Sequence, residues 1–332
     1  MKRLSIFSAM IGIAIIAAAV YAADPATVAA ALEQAGWAAA IVIALRLAAV
    51  TLAGLTWWLL FPAHPRPQPS VCALLRIVRE GANTLLPLAQ IGGDVIAARL
   101  LTFWHIPGPL AAATVIVDVL AQAGTQFLFA LVGFALLIAH GVGGSFINDL
   151  AWALAAAALA LTGFYVAQRQ GGEKLLNALL RRLARGREWQ IHGTFEAVFH
   201  RLHEVYGRRR ALALTVVCHL GVWFIGALEV WVGLTAMGYR PTYADAVAIE
   251  SLAQAARGAA FAVPGALGAQ EGVLIALCAI FSVPPEVALA LSLVKRIPDL
   301  VIGVPGLLAW QAMEGWRFHS GGRTAGAADR PD

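Results

Sequence analysis

Apolar segments long enough to cross a bilayer recur along the whole chain, and they constrain its fold more than any other feature. A membrane-spanning helix needs about 20 apolar residues, whereas a lipid-facing barrel strand alternates apolar and polar residues. These segments show no such alternation, so they predict an all-α, polytopic membrane helical bundle. The six clear spans are Leu4 to Ala23, Ala38 to Phe61, Leu110 to His140, Leu150 to Gln168, Ala211 to Met237 and Glu286 to Met313.

The composition excludes a soluble enzyme. Of the 332 residues, 60% are hydrophobic and only 13% are charged, whereas a soluble domain has roughly one quarter charged residues. The three cysteines have no paired spacing and the eight histidines have no metal-ligand spacing, so no disulfide framework or metal site is indicated. We expect a single membrane domain over residues 1–332, with no catalytic residue, metal, cofactor or nucleic-acid partner.

The amino end admits two interpretations. Its basic start and the "VYA" before Ala23 resemble a secretory signal. The apolar stretch Leu4 to Ala23 is nevertheless long enough to span, which favours a retained first helix. Both interpretations place Asp24 outside the cytoplasm.

The charge distribution predicts the orientation. Residues 169–210 carry ten lysines and arginines against four glutamates, a net charge of +6, so the positive-inside rule places this segment in the cytoplasm. Within it, "KLLNALLRRLARG" is either an amphipathic helix on an anionic leaflet or a loop that only sets topology. We expect a multi-pass protein of the bacterial cytoplasmic (inner) membrane, with both termini cytoplasmic and a flexible tail at 317–332.

Two apolar regions are interrupted. Cys72 to Leu101 is broken at "LLPLAQIGGD", and Ala244 to Phe281 is broken at "AVPGALGAQEG". Proline removes a backbone donor and glycine loosens a helix, so neither region is a simple span. The predicted sides of the flanking segments, cytoplasmic for the first region and external for the second, require each region to return to the side it came from. Two complete crossings would have the same parity, but each half, about 15 residues, would then have to span the bilayer. We therefore predict two re-entrant helical hairpins.

The two interrupted regions match each other at a constant offset of 177 residues. Gly81 corresponds to Gly258, Pro87 to Pro264 and Asp94 to Glu271, giving the shared pattern G-x5-P-x6-[D/E]. Glu80 and Arg257 share one slot with opposite charge, and Asp118 corresponds to Lys295. We interpret residues 38–140 and 211–313 as two repeats.

The predicted topology makes the repeats inverted copies. Inverted repeats with interrupted helices are typical of secondary transporters, whose substrates bind near the bilayer midplane. Backbone freed by proline and glycine must be buried in protein or face water. We therefore expect the two hairpin tips to approach one central cavity from opposite faces.

Ionisable side chains inside the spans are the candidate site residues, because isolated charge there costs at least about 2.5 kcal/mol. Arg76, Glu80 and Asn83 share one helical face, as do Glu250, Gln254 and Arg257. A cluster of Arg46, Arg79, Arg257, Lys295 and Arg296 is suited to a phosphate or other anionic head. The candidate substrate-binding residues are Arg79, Glu80, Asn83, Pro87, Asp94, Asp118, Gln254, Arg257, Pro264, Gln270, Glu271, Lys295 and Arg296.

Structural roles compete with these assignments. Asp94 and Glu271 either bind substrate or cap the helix that restarts after each break. For Asp118 and Lys295 the alternative is an ion pair between the repeats, and for Arg76 it is a local pair with Glu80. We interpret His219 as a satisfied interior histidine, and Trp57, Trp58, Trp104, Trp223 and Trp231 as packing or interfacial anchors.

The stretches "REGANTLLPLAQIGGD" and "QAARGAAFAVPGALGAQEG" resemble the lysylphosphatidylglycerol synthase transmembrane region superfamily, which includes the flippase domain of multiple peptide resistance factors. The chain is similar, more narrowly, to the branch of inner-membrane proteins associated with hopanoid biosynthesis. The resemblance implies a flippase-like fold with paired hairpins and a lipid substrate. It does not imply lysine transfer, because the aminoacyltransferase domain of the larger members has no room here.

These observations favour a protein that translocates or handles a membrane lipid, either a hopanoid-type lipid or an anionic phospholipid. One alternative is a membrane-embedded enzyme that modifies a lipid or isoprenoid, supported by the paired carboxylates Asp94 and Glu271. Another is a scaffold for lipid-biosynthesis enzymes, which rests on the basic cytoplasmic segment alone.

Overall fold

The computed structural model describes residues 25–86, 91–168, 188–260 and 268–327, and these ranges are helical apart from short connections. They contain eleven α-helices. The helices are α1 (Pro25–Gln34), α2 (Gly36–Leu59), α3 (Pro69–Leu85), α4 (Gly92–Leu101), α5 (Gly108–Ala139), α6 (Ser145–Val166), α7 (Glu188–Gly207), α8 (Arg209–Ala236), α9 (Tyr243–Ala259), α10 (Ala269–Ile280) and α11 (Pro285–Ala327).

Four of these helices are long and apolar enough to cross a membrane, namely α2, α5, α6 and α8. They coincide with four of the six expected spans, so the prediction of an all-α membrane bundle is confirmed. The last expected span lies within α11, which also contains Lys295, Arg296 and Asp299 and continues through Pro298 and Pro305. The first expected span, Leu4 to Ala23, lies outside the described residues.

Each interrupted region forms two helices that pack against each other: α3 with α4, and α9 with α10. Local sequence explains where they begin. Pro69 occupies the first turn of α3, where a missing N–H is harmless. At α9, Thr242 and Asp245 form a reciprocal capping box. The connecting residues 87–90 and 261–267, which include Pro87 and Pro264, lie outside the described ranges.

The helix packing is preserved when the two sets of four helices are exchanged. Helices α2 to α5 form one set and α8 to α11 the other. Neighbours within the first set (α2 with α3, α3 with α4, α4 with α5) have counterparts in the second. Between the sets, α3 packs on α11 as α9 packs on α5, and α2 packs on α11 as α8 packs on α5, while α2 and α8 pack on each other. This equivalence supports the repeat read from the sequence.

Two glycine contacts extend the equivalence to single residues. Gly81 on α3 lies against Gly303 on α11, and Gly258 on α9 lies beside Gln126 on α5. Gly81 and Gly258 differ by 177 positions, and so do Gln126 and Gly303. The same offset therefore relates both partners of the contact.

Some expectations fall on residues that are not described. The amphipathic stretch at 174–185 lies outside the described ranges, as does the end of the tail at 328–332. Helix α7, from the carboxyl-terminal part of the basic segment, packs against α5.

Candidate functional site

Asp118 forms the centre of a buried ion-pair cluster. This carboxylate is fully buried on α5, about one third of the way along the helix. Its Oδ2 atom lies 2.5 Å from Nη1 of Arg79 and 3.4 Å from Nη1 of Arg76, both on α3. Its Oδ1 atom lies 3.0 Å from Nε2 of His219 on α8. We call Asp118, Arg76, Arg79, His219 and the further carboxylates Glu80 and Asp94 the Asp118 cluster.

A second cluster surrounds Glu229, which is fully buried on α8. Its Oε2 atom accepts a hydrogen bond from Arg46 at 2.7 Å and one from Lys295 at 3.1 Å. Lys295 also lies 2.9 Å from Glu250 on α9. These four residues are the Glu229 cluster, and they hold two positive and two negative charges.

Asp118 and Lys295 do not form the ion pair that was the alternative to a substrate-binding role for these two residues. Asp118 takes its cations from α3, and Lys295 takes its carboxylates from α8 and α9. The physical reason is that a buried charge pairs with the nearest opposite charge, and each helix pair supplies one within its own repeat. The local pair of Arg76 with Glu80 is long, at 3.9 Å, and Gln122 lies nearer to Arg76, at 3.1 Å.

Glu271 caps its helix, as one of the two interpretations expected. Its Oε2 atom accepts a hydrogen bond from the Gly268 N–H at 2.7 Å, at the start of α10. Its Oε1 atom accepts hydrogen bonds from Arg296 at 2.7 Å and from Ser292 at 3.1 Å, both on α11. All of these partners hold Glu271 inside the protein, where it is 2% exposed.

The repeat-related carboxylate, Asp94, behaves differently. It lies in the first turn of α4 and makes no side-chain cap; instead it contacts Nε of Arg79. The cap is supplied by Asn83, whose Oδ1 accepts a hydrogen bond from the Gly93 N–H at 2.7 Å. The amide nitrogen of Asn83 donates to Asp94 at 3.2 Å. Asn83 and Arg79 therefore fasten α4 to α3 across the break.

A polar cavity of about 350 Å³ lies between the two sets of helices. It is bounded by residues of α2, α3, α5, α8 and α9 and by the start of α4. Arg46, one of its lining residues, lies near the middle of α2. The charged lining residues are Arg46, Arg76, Arg79, Glu80, Asp94 and Arg257.

Only some of the predicted site residues line the cavity. Six candidate residues line it: Arg79, Glu80, Asn83, Asp94, Gln254 and Arg257. Five others do not line it. Asp118 and Lys295 lie in the ion-pair clusters, Arg296 and Glu271 pair with each other, and Gln270 is buried at the start of α10. The remaining two, Pro87 and Pro264, lie outside the described residues.

The five cations that the sequence grouped as suited to an anionic head are divided among several ion pairs. Each of these cations is paired with a carboxylate: Arg46 with Glu229, Lys295 with Glu229 and Glu250, Arg296 with Glu271, and Arg79 with Asp94 and Asp118. Arg257 has the longest such contact, 3.8 Å from Asp299. Burial explains the pairing, because an unpaired charge in a dry interior is far costlier than a paired one.

The cavity is also lined by Gln126 and Trp223, which the sequence did not place in the site. Gln126 donates a hydrogen bond to the Gln254 carbonyl at 2.6 Å and so joins α5 to α9 at the cavity wall. Trp223, interpreted as packing or an anchor, lines the cavity and donates to Thr125 at 3.0 Å. The signal for Gln126 was its position one turn after Gln122 on an otherwise apolar span.

The chemistry of the cavity follows from this lining. Guanidinium groups bind phosphate and carboxylate, while the carboxylates of Glu80 and Asp94 accept hydrogen bonds from hydroxyl and amino groups. Asp94 and Glu271 do not share one cavity, so the described residues give no support to a paired-carboxylate catalytic centre. A polar group bound here would be held away from hydrocarbon at the depth of the helix middles.

Comparison with known proteins identifies one family. The family model described as the lysylphosphatidylglycerol synthase TM region matches residues 6–306. No curated protein and no solved structure matches the chain.

Proposed function

The chain is an integral membrane protein of lipid-related biology that belongs to the lysylphosphatidylglycerol synthase TM region family, and we propose that it carries the polar head of a membrane lipid between leaflets. The observation that supports this proposal is the charged cavity between the two sets of helices. A lipid head in hydrocarbon loses its hydration, and a polar passage through the bundle replaces that hydration with protein groups.

The loosely paired charges of the cavity are the proposed contacts of the lipid head. Glu80 lies 3.9 Å from Arg76, and Arg257 lies 3.8 Å from Asp299. Both distances exceed that of a close charge-assisted hydrogen bond, about 2.7–2.9 Å. The Arg257 guanidinium is therefore available to a phosphate, and the Glu80 carboxylate to a hydroxyl or amino group.

The tighter pairs set how strongly a head group binds. A phosphate that reaches Arg79 must displace Asp94 from it, so one ion pair is exchanged for another rather than added. This exchange keeps binding weak enough for release on the far side. We propose that movement of one repeat against the other opens the cavity to alternate faces, as in other proteins built from inverted repeats.

The proposed substrate is a hopanoid-type lipid or an anionic phospholipid, and the proposed location is the bacterial inner membrane with both termini in the cytoplasm. The orientation rests on the +6 charge of residues 169–210. The lipid identity rests on the sequence resemblance and on the arginines of the cavity wall.

The test is lipid movement in vesicles that contain the purified, folded protein. A head-labelled anionic phospholipid and a labelled hopanoid are incorporated separately, and the fraction accessible to an impermeant quencher is followed over time. We expect one of the two lipids to equilibrate faster than in protein-free vesicles, with its mass unchanged. Equal rates with and without protein for both lipids refute the proposal, and a new lipid mass indicates an enzyme instead.

A further inference from the structure

The ion-paired interior contains one more carboxylate than fixed cations. Within the described residues the carboxylates are Glu80, Asp94, Asp118, Glu229, Glu250, Glu271 and Asp299, and the cations are Arg46, Arg76, Arg79, Arg257, Lys295 and Arg296. Seven negative charges thus face six positive charges. An uncompensated charge at this depth is costly, so a nearby counter-charge stabilises the surplus, although the Glu80 side chain is 25% exposed at the cavity.

The surplus is local to the Asp118 cluster. The Glu229 cluster has two cations and two carboxylates, and the pairs of Arg296 with Glu271 and Arg257 with Asp299 are balanced. The Asp118 cluster has two guanidinium groups against three carboxylates. One further positive charge in this cluster balances the ion-paired interior formed by the described residues.

His219 is in position to supply that charge. It is 1% exposed, and its Nε2 atom lies 3.0 Å from Oδ1 of Asp118, which is the oxygen that the arginines do not use. Histidine is the side chain whose charge changes most readily near neutral pH. We propose that the His219–Asp118 pair is a proton-binding site, in which the protonated imidazole completes the charge balance of the interior.

Among the charged residues on the helices around His219, Asp118 contacts the imidazole ring, at 3.0 Å. Helix α8 packs against α2, α5, α9 and α11. The charged residues in the middle parts of these helices are Arg46 on α2, Asp118 on α5, Glu250 and Arg257 on α9, and Lys295, Arg296 and Asp299 on α11. On α8 itself, Glu229 belongs to the other cluster, Cys218 is adjacent in sequence, and Arg209 and Arg210 are in the first turn. Asp118 is therefore the carboxylate on which a proton at His219 acts most directly.

The proton site connects the two repeats close to the cavity, without lining it. His219 belongs to α8 and Asp118 to α5, so the pair crosses from one set of helices to the other. One turn further along α8, Trp223 lines the cavity and donates to Thr125, again on α5. On the opposite side of Asp118, Arg79 reaches Asp94 in the cavity.

Loss of the proton leaves the cluster with a surplus negative charge and weakens the contact between α5 and α8. Proton occupancy is thereby coupled to the packing of the repeats. The effect on lipid movement rests on the proposed function; the proton site does not.

The direct test is histidine NMR on the full-length protein in nanodiscs at neutral pH, with the His219 signal identified by its loss in His219→Gln. We expect His219 to carry protons on both ring nitrogens. Glu80→Gln removes the surplus carboxylate at the edge of the cavity, and we expect it to convert His219 largely to the neutral form. Glu204→Gln, in the surface pair with Arg201, leaves the His219 signal unchanged.

A neutral His219 in the wild-type protein, or a protonated fraction that Glu80→Gln does not lower, overturns the proton site. The coupling is tested separately in vesicles with opposite pH gradients. We expect one gradient to accelerate lipid movement by the wild-type protein and to have no effect on His219→Gln. Lipid movement with equal sensitivity to the gradient in both proteins overturns the coupling, and no lipid movement at all refutes the proposed function while the NMR result stands.

Discussion

The contact of Gly81 with Gly303 predicts that two repeat-related glycines respond differently to the same substitution. A methyl group at Gly81 would overlap the carbonyl oxygen of Gly303 and lie 3.0 Å from its Cα atom, so backbone meets the added group. A methyl group at Gly258 would meet Nε2 of Gln126 at 3.0 Å, which is the end of a flexible side chain.

The magnitudes follow from this difference. Replacing glycine by alanine inside a helix stabilises it by roughly 0.5–1 kcal/mol. Overpacking costs about 1–3 kcal/mol, and backbone overlap places Gly81→Ala at the upper end. We expect Gly81→Ala to lower the free energy of unfolding by about 2 kcal/mol, and Gly258→Ala to change it by less than about 1 kcal/mol.

The assay is thermal unfolding of the two purified variants in the same detergent, followed by intrinsic tryptophan fluorescence. We expect the midpoint of Gly81→Ala to fall by several degrees and that of Gly258→Ala to stay near wild type. Equal midpoints for the two variants would refute the assignment of Gly81 to a close contact between the helix sets.

Three other predictions concern the break, the Glu229 cluster and the membrane orientation. Asn83→Ala removes the cap on α4, and we expect a loss of about 1–3 kcal/mol in the same unfolding assay; an unchanged midpoint contradicts the cap. Lys295→Met leaves an unbalanced carboxylate, and we expect it to lower the free energy of unfolding by about 3–5 kcal/mol. The double variant with Glu250→Gln is expected to recover most of that loss, and no recovery argues against the pairing. Single cysteines at Thr84 and Ala260, in a cysteine-free background, are expected to react with an impermeant reagent from opposite faces of oriented vesicles, and labelling from one face alone contradicts opposed hairpins.

The sequence predicted those features that depend on one helix at a time. Runs of about 20 apolar residues must be helical to satisfy their backbone in lipid, so the spans of α2, α5, α6 and α8 could be predicted. The offset of 177 residues that matches Gly81 with Gly258 in the sequence also matches their contact partners, Gly303 and Gln126. Local spacing determines such features without knowledge of the neighbouring helices.

Features that depend on the relative position of two helices were not predictable in the same way. Spacing shows that Asp118 and Lys295 each face the interior, but the helix opposite each one is fixed only by the fold. The matched carboxylates Asp94 and Glu271 have different roles for a similar reason. Asn83, across the first break, caps α4, whereas Glu271 itself caps α10 after the second break. The residue at the matching position, Ala260, has no side-chain amide to offer.

Passage of lipid heads through the cavity can be tested by comparing the rate of lipid movement in vesicles for two matched arginine variants. Arg257 lines the cavity with its nearest carboxylate 3.8 Å away, whereas Arg201 pairs with Glu204 on the surface of α7. Both Arg257→Gln and Arg201→Gln remove one positive charge. We predict that Arg257→Gln lowers the initial rate about tenfold, equivalent to roughly 1.4 kcal/mol, and that Arg201→Gln leaves it unchanged. Equal rates for the two folded variants would contradict passage through the cavity.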